Sequence, residues 1–303
     1  MRNLLLPLLT IAVAATTFAV PHGAHYRNGD RANLTISTDD NDEITSCAQI
    51  SVRYGGSVAV RAEEEVPVGN LTSLAVRSDR NGGIHVTGWD SNRYAVTLCK
   101  AAALSENLAA IHATVRGNEV SATGSDNDSV AFFIVRAPRN AVLDLSAHNG
   151  QVALSHVDGH VVARVQNGPL SIAKTTGTVD AASVNGPVSL SGGSGTMTLR
   201  AENGPVAVRL DGTAWDGTLD ASTSNGPLAL RIPRGYQSGV VVESNGHGPF
   251  SCRGEACAAA RRSWSDRDDD EDYVSARRIE LGSGRQNVHL STVNGPVSVK
   301  ERE

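Results

Sequence analysis

From residue 143 to residue 232, apolar and polar residues alternate in short bursts, each set at a fixed distance from a glycine. After Gly150 the apolar positions are Val152 and Leu154, and after Gly168 they are Leu170 and Ile172. After Gly186 they are Val188 and Leu190, and after Gly204, Val206 and Val208. Val161 and Ala163 follow Gly159 by the same rule, as Met197 and Leu199 follow Gly195. The intervening residues are small or polar, as at Ser171, Ser189, Ala207 and Ala229. A period of two buries one face of a strand and leaves the other in water. Helical spacing is absent here.

The glycines recur every nine residues from Gly150 to Gly204, and the Asn-Gly pairs at Asn149, Asn167, Asn185 and Asn203 every eighteen. Asn225-Gly226 and Asn294-Gly295 continue the series. Asn-Gly corners alternate with Asp158-Gly159, Thr176-Gly177 and Ser194-Gly195. A fixed short period is the mark of a stacked architecture. The pattern predicts an all-β parallel β-solenoid, with rungs of roughly 18 residues holding two short strands each. Asn and Gly tolerate positive φ, and the Pro that usually follows fixes the exit from the corner. The Asn side chains are expected to stack as a ladder with a step of about 4.8 Å. The competing reading is an antiparallel meander, because Asn-Gly also suits a two-residue hairpin.

This divides the chain into residues 1–24, a signal peptide; 25–46, a polar leader; 47–142, degenerate rungs; and 143–303, regular rungs with an insertion at 250–285. In the degenerate part, Asn81-Gly82 precedes Ile84 and Val86 in the same code. Val96 with Leu98, Val120 with Ala122, and Val130–Val135 read as further strands. Ala101–Ala113 reads as one short helix capped by Ser105, or as a loop. The residues around Trp215 lengthen one rung to twenty-two residues, and the period breaks after Asn245. Val288–Val299 returns to the pattern and is read as the rung that closes the stack.

Arg2, the apolar run Leu4–Ala15 and small residues at Ala19 and Ala24 predict a cleaved secretory signal, with a retained anchor as the alternative. No later segment is long enough to span a bilayer as a helix. Export suits four cysteines, and sequence proximity favours Cys47 with Cys99 and Cys252 with Cys257. Zinc at Cys252 and Cys257 is the rival, but no His pair follows at ligand spacing. The net charge of −5 is modest and the basic residues are scattered along the sequence, so no nucleic-acid partner is expected.

Candidate chemistry is sparse. Gly192-Gly193-Ser194-Gly195 approaches a calcium-binding nonapeptide, but Met197 stands where the ligating Asp belongs. The acidic run at 266–272 lacks the glycine and spacing of an EF-hand loop, so neither a metal nor a cofactor is expected. Glycoside cleavage needs two carboxylates flanking the bond, and Asp144, Asp180 and Asp220 fall singly on strands. The insertion holds the candidate binding residues Arg261, Arg262, Trp264, Asp268, Asp269 and Asp270, since function concentrates where a repeat is interrupted.

Val130–Pro138 followed by the Asn-Gly-x-Val/Leu-x-Val/Leu repeats resembles the bacterial putative-adhesin family, as does Ser78–Asp90 as an opening strand. The likeness covers roughly residues 48–300. It implies an exported β-solenoid of unassigned function, with no catalytic residues to carry over. The expected role is a non-enzymatic binding or structural protein of the cell envelope, its partner a glycan or another envelope protein, with self-association a further option. The alternative is a polysaccharide lyase or hydrolase on the same scaffold.

Overall fold

Val161, Ala163 and Val165 turn into the core on one strand, while Val162, Arg164 and Gln166 face outward. The same alternation repeats along the chain and sets its architecture. The computed structural model describes residues 34–38, 43–124, 129–245, 248–264 and 277–302. These residues are all-β apart from two short helices, Ser105–Ala109 and Glu255–Trp264, and a 3-10 turn at Cys47–Gln49. A three-stranded antiparallel sheet joins Leu34–Thr38, Ile50–Tyr54 and Ser57–Val58; the other strands form one mixed sheet of 21 strands.

In the regular part a long strand ends at each Asn-Gly corner and a short strand follows it. Val142–Asn149 leads to Val152–Ser155, and His160–Asn167 to Leu170–Ala173. Thr178–Asn185 leads to Val188–Ser191, Gly195–Asn203 to Val206–Arg209, and Gly217–Asn225 to Leu228–Pro233. Each strand pairs in parallel with its counterpart in the next rung, as in Val161 beside Val179 and Leu170 beside Val188. The inward columns Val161–Val179–Met197–Leu219 and Leu170–Val188–Val206–Leu228 belong to one core. Each such side chain contributes about 1.5–3 kcal/mol by leaving water.

The corner glycines are required by the stacking itself. A Cβ on Gly186 would lie 2.0 Å from the Gly168 carbonyl oxygen, and one on Gly204 would lie 2.2 Å from that of Gly186. The lengthened rung is stitched by Trp215. Its indole Nε1 donates to the Gly195 carbonyl at 2.9 Å, and its backbone N–H donates to Ser238 Oγ at 2.8 Å.

The stack does not follow chain order at its C-terminal end. Gln286–Asn294 pairs in parallel with Gly217–Asn225, and Gly239–Ser244 pairs on its far side. Val297–Arg302 is likewise inserted between Leu228–Pro233 and Phe250–Arg253. The last rung in sequence is therefore next to last in space, and the expectation that it closes the stack is corrected. Closure comes from Arg277–Leu281, which runs antiparallel to Gly239–Ser244, and from the helix Glu255–Trp264, whose Cys257 and Ala260 join the core. Cys252 and Cys257 form a disulfide that pins this helix to the preceding strand.

At the other end, only one segment among the described residues between 47 and 142 keeps the corner register. Leu74–Trp89 lies beside both strands of the following rung, with Leu74 opposite Leu143, Asn81 opposite Asn149 and Ile84 opposite Val152. Ser129–Pro138 pairs in parallel with it, and then Ala95–Ala102 and Val60–Val66 add antiparallel. His112–Arg116 and Glu119–Thr123 form a hairpin whose second strand runs beside Ala75–Arg77. The antiparallel turn follows from a second core. Phe133 and Val135 face the main core, while Phe132 and Ile134 face Leu34, Ile36, Ile50 and Val52 of the small sheet. A strand buried on both faces reads as a continuous apolar run, as Val130–Val135 does. Cys47–Cys99 is a disulfide that ties the small sheet to Ala95–Ala102.

Within the stretch read as a polar leader, Leu34–Thr38 is a strand, because Leu34 and Ile36 reach that second core. The helix at 101–113 is shorter than expected. Leu104 occupies its cap position, without a side-chain hydrogen bond, so Ser105 does not cap it. The segment expected to be a signal peptide, residues 1–24, lies outside the described residues. No helix among those described is long and apolar enough to cross a membrane.

Candidate binding surfaces

The stacking presents three lengthwise surfaces, each a column of equivalent residues. The first is the Asn edge. Asn167 Nδ2 donates to Asn149 Oδ1 at 2.9 Å, Asn185 to Asn167 at 2.9 Å, Asn203 to Asn185 at 3.2 Å and Asn225 to Asn203 at 3.0 Å. Asn294 continues onto Asn225 at 3.1 Å, and Asn149 reaches Asn81 at 3.5 Å. Every amide donates toward the N-terminal end, so the ladder satisfies its own groups and is a structural device. Gly150, Gly186, Gly204, Gly226 and Gly295 are the close-approach positions beside it, and Gly168 is the corner glycine between the first two.

The second surface is the outer face of the long strands, and ion pairs lace it. Arg77 donates to both oxygens of Asp144, at 2.8 and 2.6 Å. That pairing raises the Arg77 pKa and lowers that of Asp144. Arg164 holds Asp180 at 2.6 Å, with Arg200 at 3.7 Å from the other oxygen. His289 lies between Asp220 at 3.4 Å and Glu243 at 3.2 Å, and Glu243 also meets Arg278 at 2.7 Å. Asp180 and Asp220 are two rungs apart, since Asp180 aligns with Thr198 and Thr198 with Asp220. Each of the three strand aspartates singled out in the sequence already has a cationic partner or a histidine.

The third surface is the outer face of the short strands. Its inner column is small throughout: Ala153, Ser171, Ser189, Ala207, Ala229, Ser298 and Ser251. Beside it, two residues on, runs a column that changes character along the stack. Ser155, Ala173 and Ser191 are neutral, and then Arg209, Arg231, Lys300 and Arg253 stand on four successive rungs. Like charges about 4.8 Å apart in water repel by roughly 1 kcal/mol per adjacent pair. Arg209 lies 3.8 Å from Asp211, which Arg302 holds more closely at 2.9 Å. These basic residues are scattered along the sequence; the parallel register gathers the four. The usable signal was their offset of five residues from each corner glycine, as in Gly204–Arg209 and Gly226–Arg231.

His85 was also missed. It holds the outward position that Ala153 and Ser171 hold on later rungs, yet it is buried, because Ile44 crosses over it and donates its N–H to Nε2 at 3.2 Å. Nδ1 is buried without a partner among the described residues, and burial pulls the imidazole pKa down to about 4. Nearby, Glu43 pairs with His156 at 3.0 Å. A cleft of about 390 Å³ lies where the small sheet meets the main one, lined by residues that include Cys47, Arg61, Glu63, Lys100 and Phe132.

Of the insertion residues, Arg261, Arg262 and Trp264 lie in the last turns of the helix Glu255–Trp264. Asp268, Asp269 and Asp270 lie outside the described residues. No cluster of three or more metal-ligating side chains occurs among the described residues.

No family model matches the chain, and no curated protein matches it. The family resemblance read from the repeats is thus without a matching model. Among solved structures, the chain is similar to a putative adhesin from Bacteroides fragilis NCTC 9343, with 11% identity and a TM-score of 0.38 over 80% of this chain and 97% of that one. It is similar to a putative cell adhesion protein from Clostridium sporogenes ATCC 15579, at 7% identity and a TM-score of 0.29 over 80% and 100% of the two chains. A putative lipid binding protein from Parabacteroides distasonis ATCC 8503 overlaps at 10% identity and 0.32, over 80% and 97%. Overlap at these scores does not assign the chain to a family.

Proposed function

We propose that this chain is an exported, non-enzymatic protein of the adhesin type, a parallel β-solenoid that binds a glycan or another envelope protein along its outer faces. The observation that carries the reading is the constant register of outward residues over successive rungs, which makes each face a repeating array. An array on a stacked scaffold is rigid before its partner arrives, so little ordering opposes binding to a large or repetitive partner. Export is favoured by the two disulfides and by the signal-like N-terminus.

The enzymatic alternative rests on Asp180 and Asp220, whose rung spacing of about 9.6 Å is near the separation of an inverting carboxylate pair. Their engagement by Arg164, Arg200 and His289 on an open face favours a structural role. Purified protein should therefore retain glycans or envelope proteins on an array without consuming them. Turnover lost in Asp180→Asn or Asp220→Asn would reverse the assignment. Self-association is disfavoured at the N-terminal end, where the edge strand Val60–Val66 carries Arg61, Glu63, Glu64 and Glu65.

A further inference from the structure

We propose that Arg209, Arg231, Lys300 and Arg253 form a track for a linear anionic polysaccharide, laid lengthwise across four successive rungs of the short-strand face. The proposal rests on the adhesin-type reading and names the chemistry of its partner. Four cations stand in register, Arg209 beside Arg231, Arg231 beside Lys300 and Lys300 beside Arg253. Parallel pairing fixes their step at about 4.8 Å.

The contrast with the opposite face identifies the track as more than a charged surface. There, Arg77, Arg164 and Arg278 each meet a carboxylate at 2.6–2.7 Å. Here Lys300 and Arg253 have no ion-pair partner among the described residues, and Arg209 shares Asp211 with Arg302. Glu301 is committed elsewhere, accepting the Ala256 N–H at 3.2 Å near the start of the helix Glu255–Trp264. The chain as a whole is acidic, at −5, so the row is a local feature against the overall charge. In-register like charges oppose folding, and a bound polyanion relieves that repulsion.

The ground beside the row favours a sugar chain over other polyanions. Ala207, Ala229, Ser298 and Ser251 leave a strip of small side chains, and beyond it stand Pro205, Pro227, Pro296 and Pro249 at the corner exits. A flat, narrow strip between a proline column and a cation column accommodates rings laid edge to edge. The outward positions of these strands hold no aromatic side chain on which nucleic-acid bases would stack.

The test is titration of the intact purified chain with heparin, polygalacturonate, neutral dextran and a single-stranded oligodeoxynucleotide, at low and at physiological ionic strength. The expected result is binding to heparin or polygalacturonate that weakens with salt, while dextran does not bind. Which of the two binds tighter separates sulfate from carboxylate as the recognised group. Combined Arg209→Ser, Arg231→Ser, Lys300→Ser and Arg253→Ser should weaken that binding by roughly tenfold or more and flatten its salt dependence, through lost counterion release. Serine already occupies this column at Ser155 and Ser191, and the double variant Lys300→Ser with Arg253→Ser gives a milder check of the same kind. Arg164→Ser with Arg200→Ser, on the other face, should bind as the unaltered chain does. Unchanged affinity in the fourfold variant, or equal loss in the other-face variant, overturns the proposal. Oligonucleotide binding as tight as that of the polysaccharides overturns the assignment to sugars. Binding to dextran but to neither polyanion sinks the track while leaving the adhesin-type reading intact.

Discussion

Asn294 donates from Nδ2 to Asn225 Oδ1 at 3.1 Å, although 69 residues separate the two in sequence. The bond is the same one that joins Asn167 to Asn149, 18 residues apart. The ladder therefore follows position in the stack and not position in the chain. A rung made last in sequence has been inserted between two made earlier, and the amide ladder runs onto it from Asn225.

Replacing an internal member should cost more than replacing the last. Asn185→Ala removes two ladder bonds, one given to Asn167 and one received from Asn203. At the net value of a partly solvated hydrogen bond, the loss is roughly 1–2 kcal/mol. Asn294→Ala removes one side-chain ladder bond, and about half that loss is expected. Urea midpoints of the two variants measure the difference.

The corner glycines should respond to steric contact more than to turn conformation. Gly186→Ala drives a methyl to 2.0 Å from the Gly168 carbonyl oxygen, so the two rungs must part. A loss of about 3 kcal/mol or more is expected, at the upper end of overpacking effects. Gly212, with φ +65 and open space around it, bears only the backbone penalty. Gly212→Ala should lose about 1 kcal/mol. Thermal unfolding of both variants checks the order.

The first disulfide should matter more than the second. Cys47 and Cys99 are 52 residues apart, while Cys252 and Cys257 are 5 apart. Loop-closure entropy assigns about 4 kcal/mol to the long link and about 2 kcal/mol to the short one. Paired Cys→Ser variants, compared by denaturant unfolding, should show the larger loss for Cys47 and Cys99. They should also show increased hydrogen exchange confined to the small N-terminal sheet.

Much of the regular fold could be read from the sequence, because each rung repeats one local requirement. Small residues beside the corner, aliphatics at plus two and plus four, and an Asn that can bond its own kind all recur at fixed spacing. Cysteine proximity likewise gave the pairing that the structure contains. Two features were hidden for physical reasons. The order of the C-terminal rungs depends on which strand docks on Gly217–Asn225, and the apolar run of Gly239–Ser244 and the alternation of Gln286–Asn294 both suit a core-facing strand. The cation track was hidden because Arg231 and Lys300 become neighbours only through that docking.

His85 should make the fold acid-sensitive. Burial keeps it neutral in the folded chain down to about pH 4, whereas its ordinary value is 6.5. Between those values the unfolded chain binds a proton that the folded chain does not. Its contribution is thus fully present above about pH 6.5 and falls away as pH drops toward 4, reaching roughly 3 kcal/mol. His85→Gln keeps an acceptor for the Ile44 N–H without the titration. Unfolding by urea near neutrality and again at mildly acid pH should show a smaller acid loss in the variant than in the unaltered chain.

The central claim, that equivalent strands lie side by side in parallel with a period of one rung, is tested most directly by a distance. Nitroxide labels at Ala153 and Ala229 sit on the same outer column, four rungs apart through Ser171, Ser189 and Ala207. Pulsed electron–electron resonance should find their backbone positions about 19 Å apart, four strand spacings. An antiparallel meander would place two strands in every period, and a separation of about 38 Å would contradict the account.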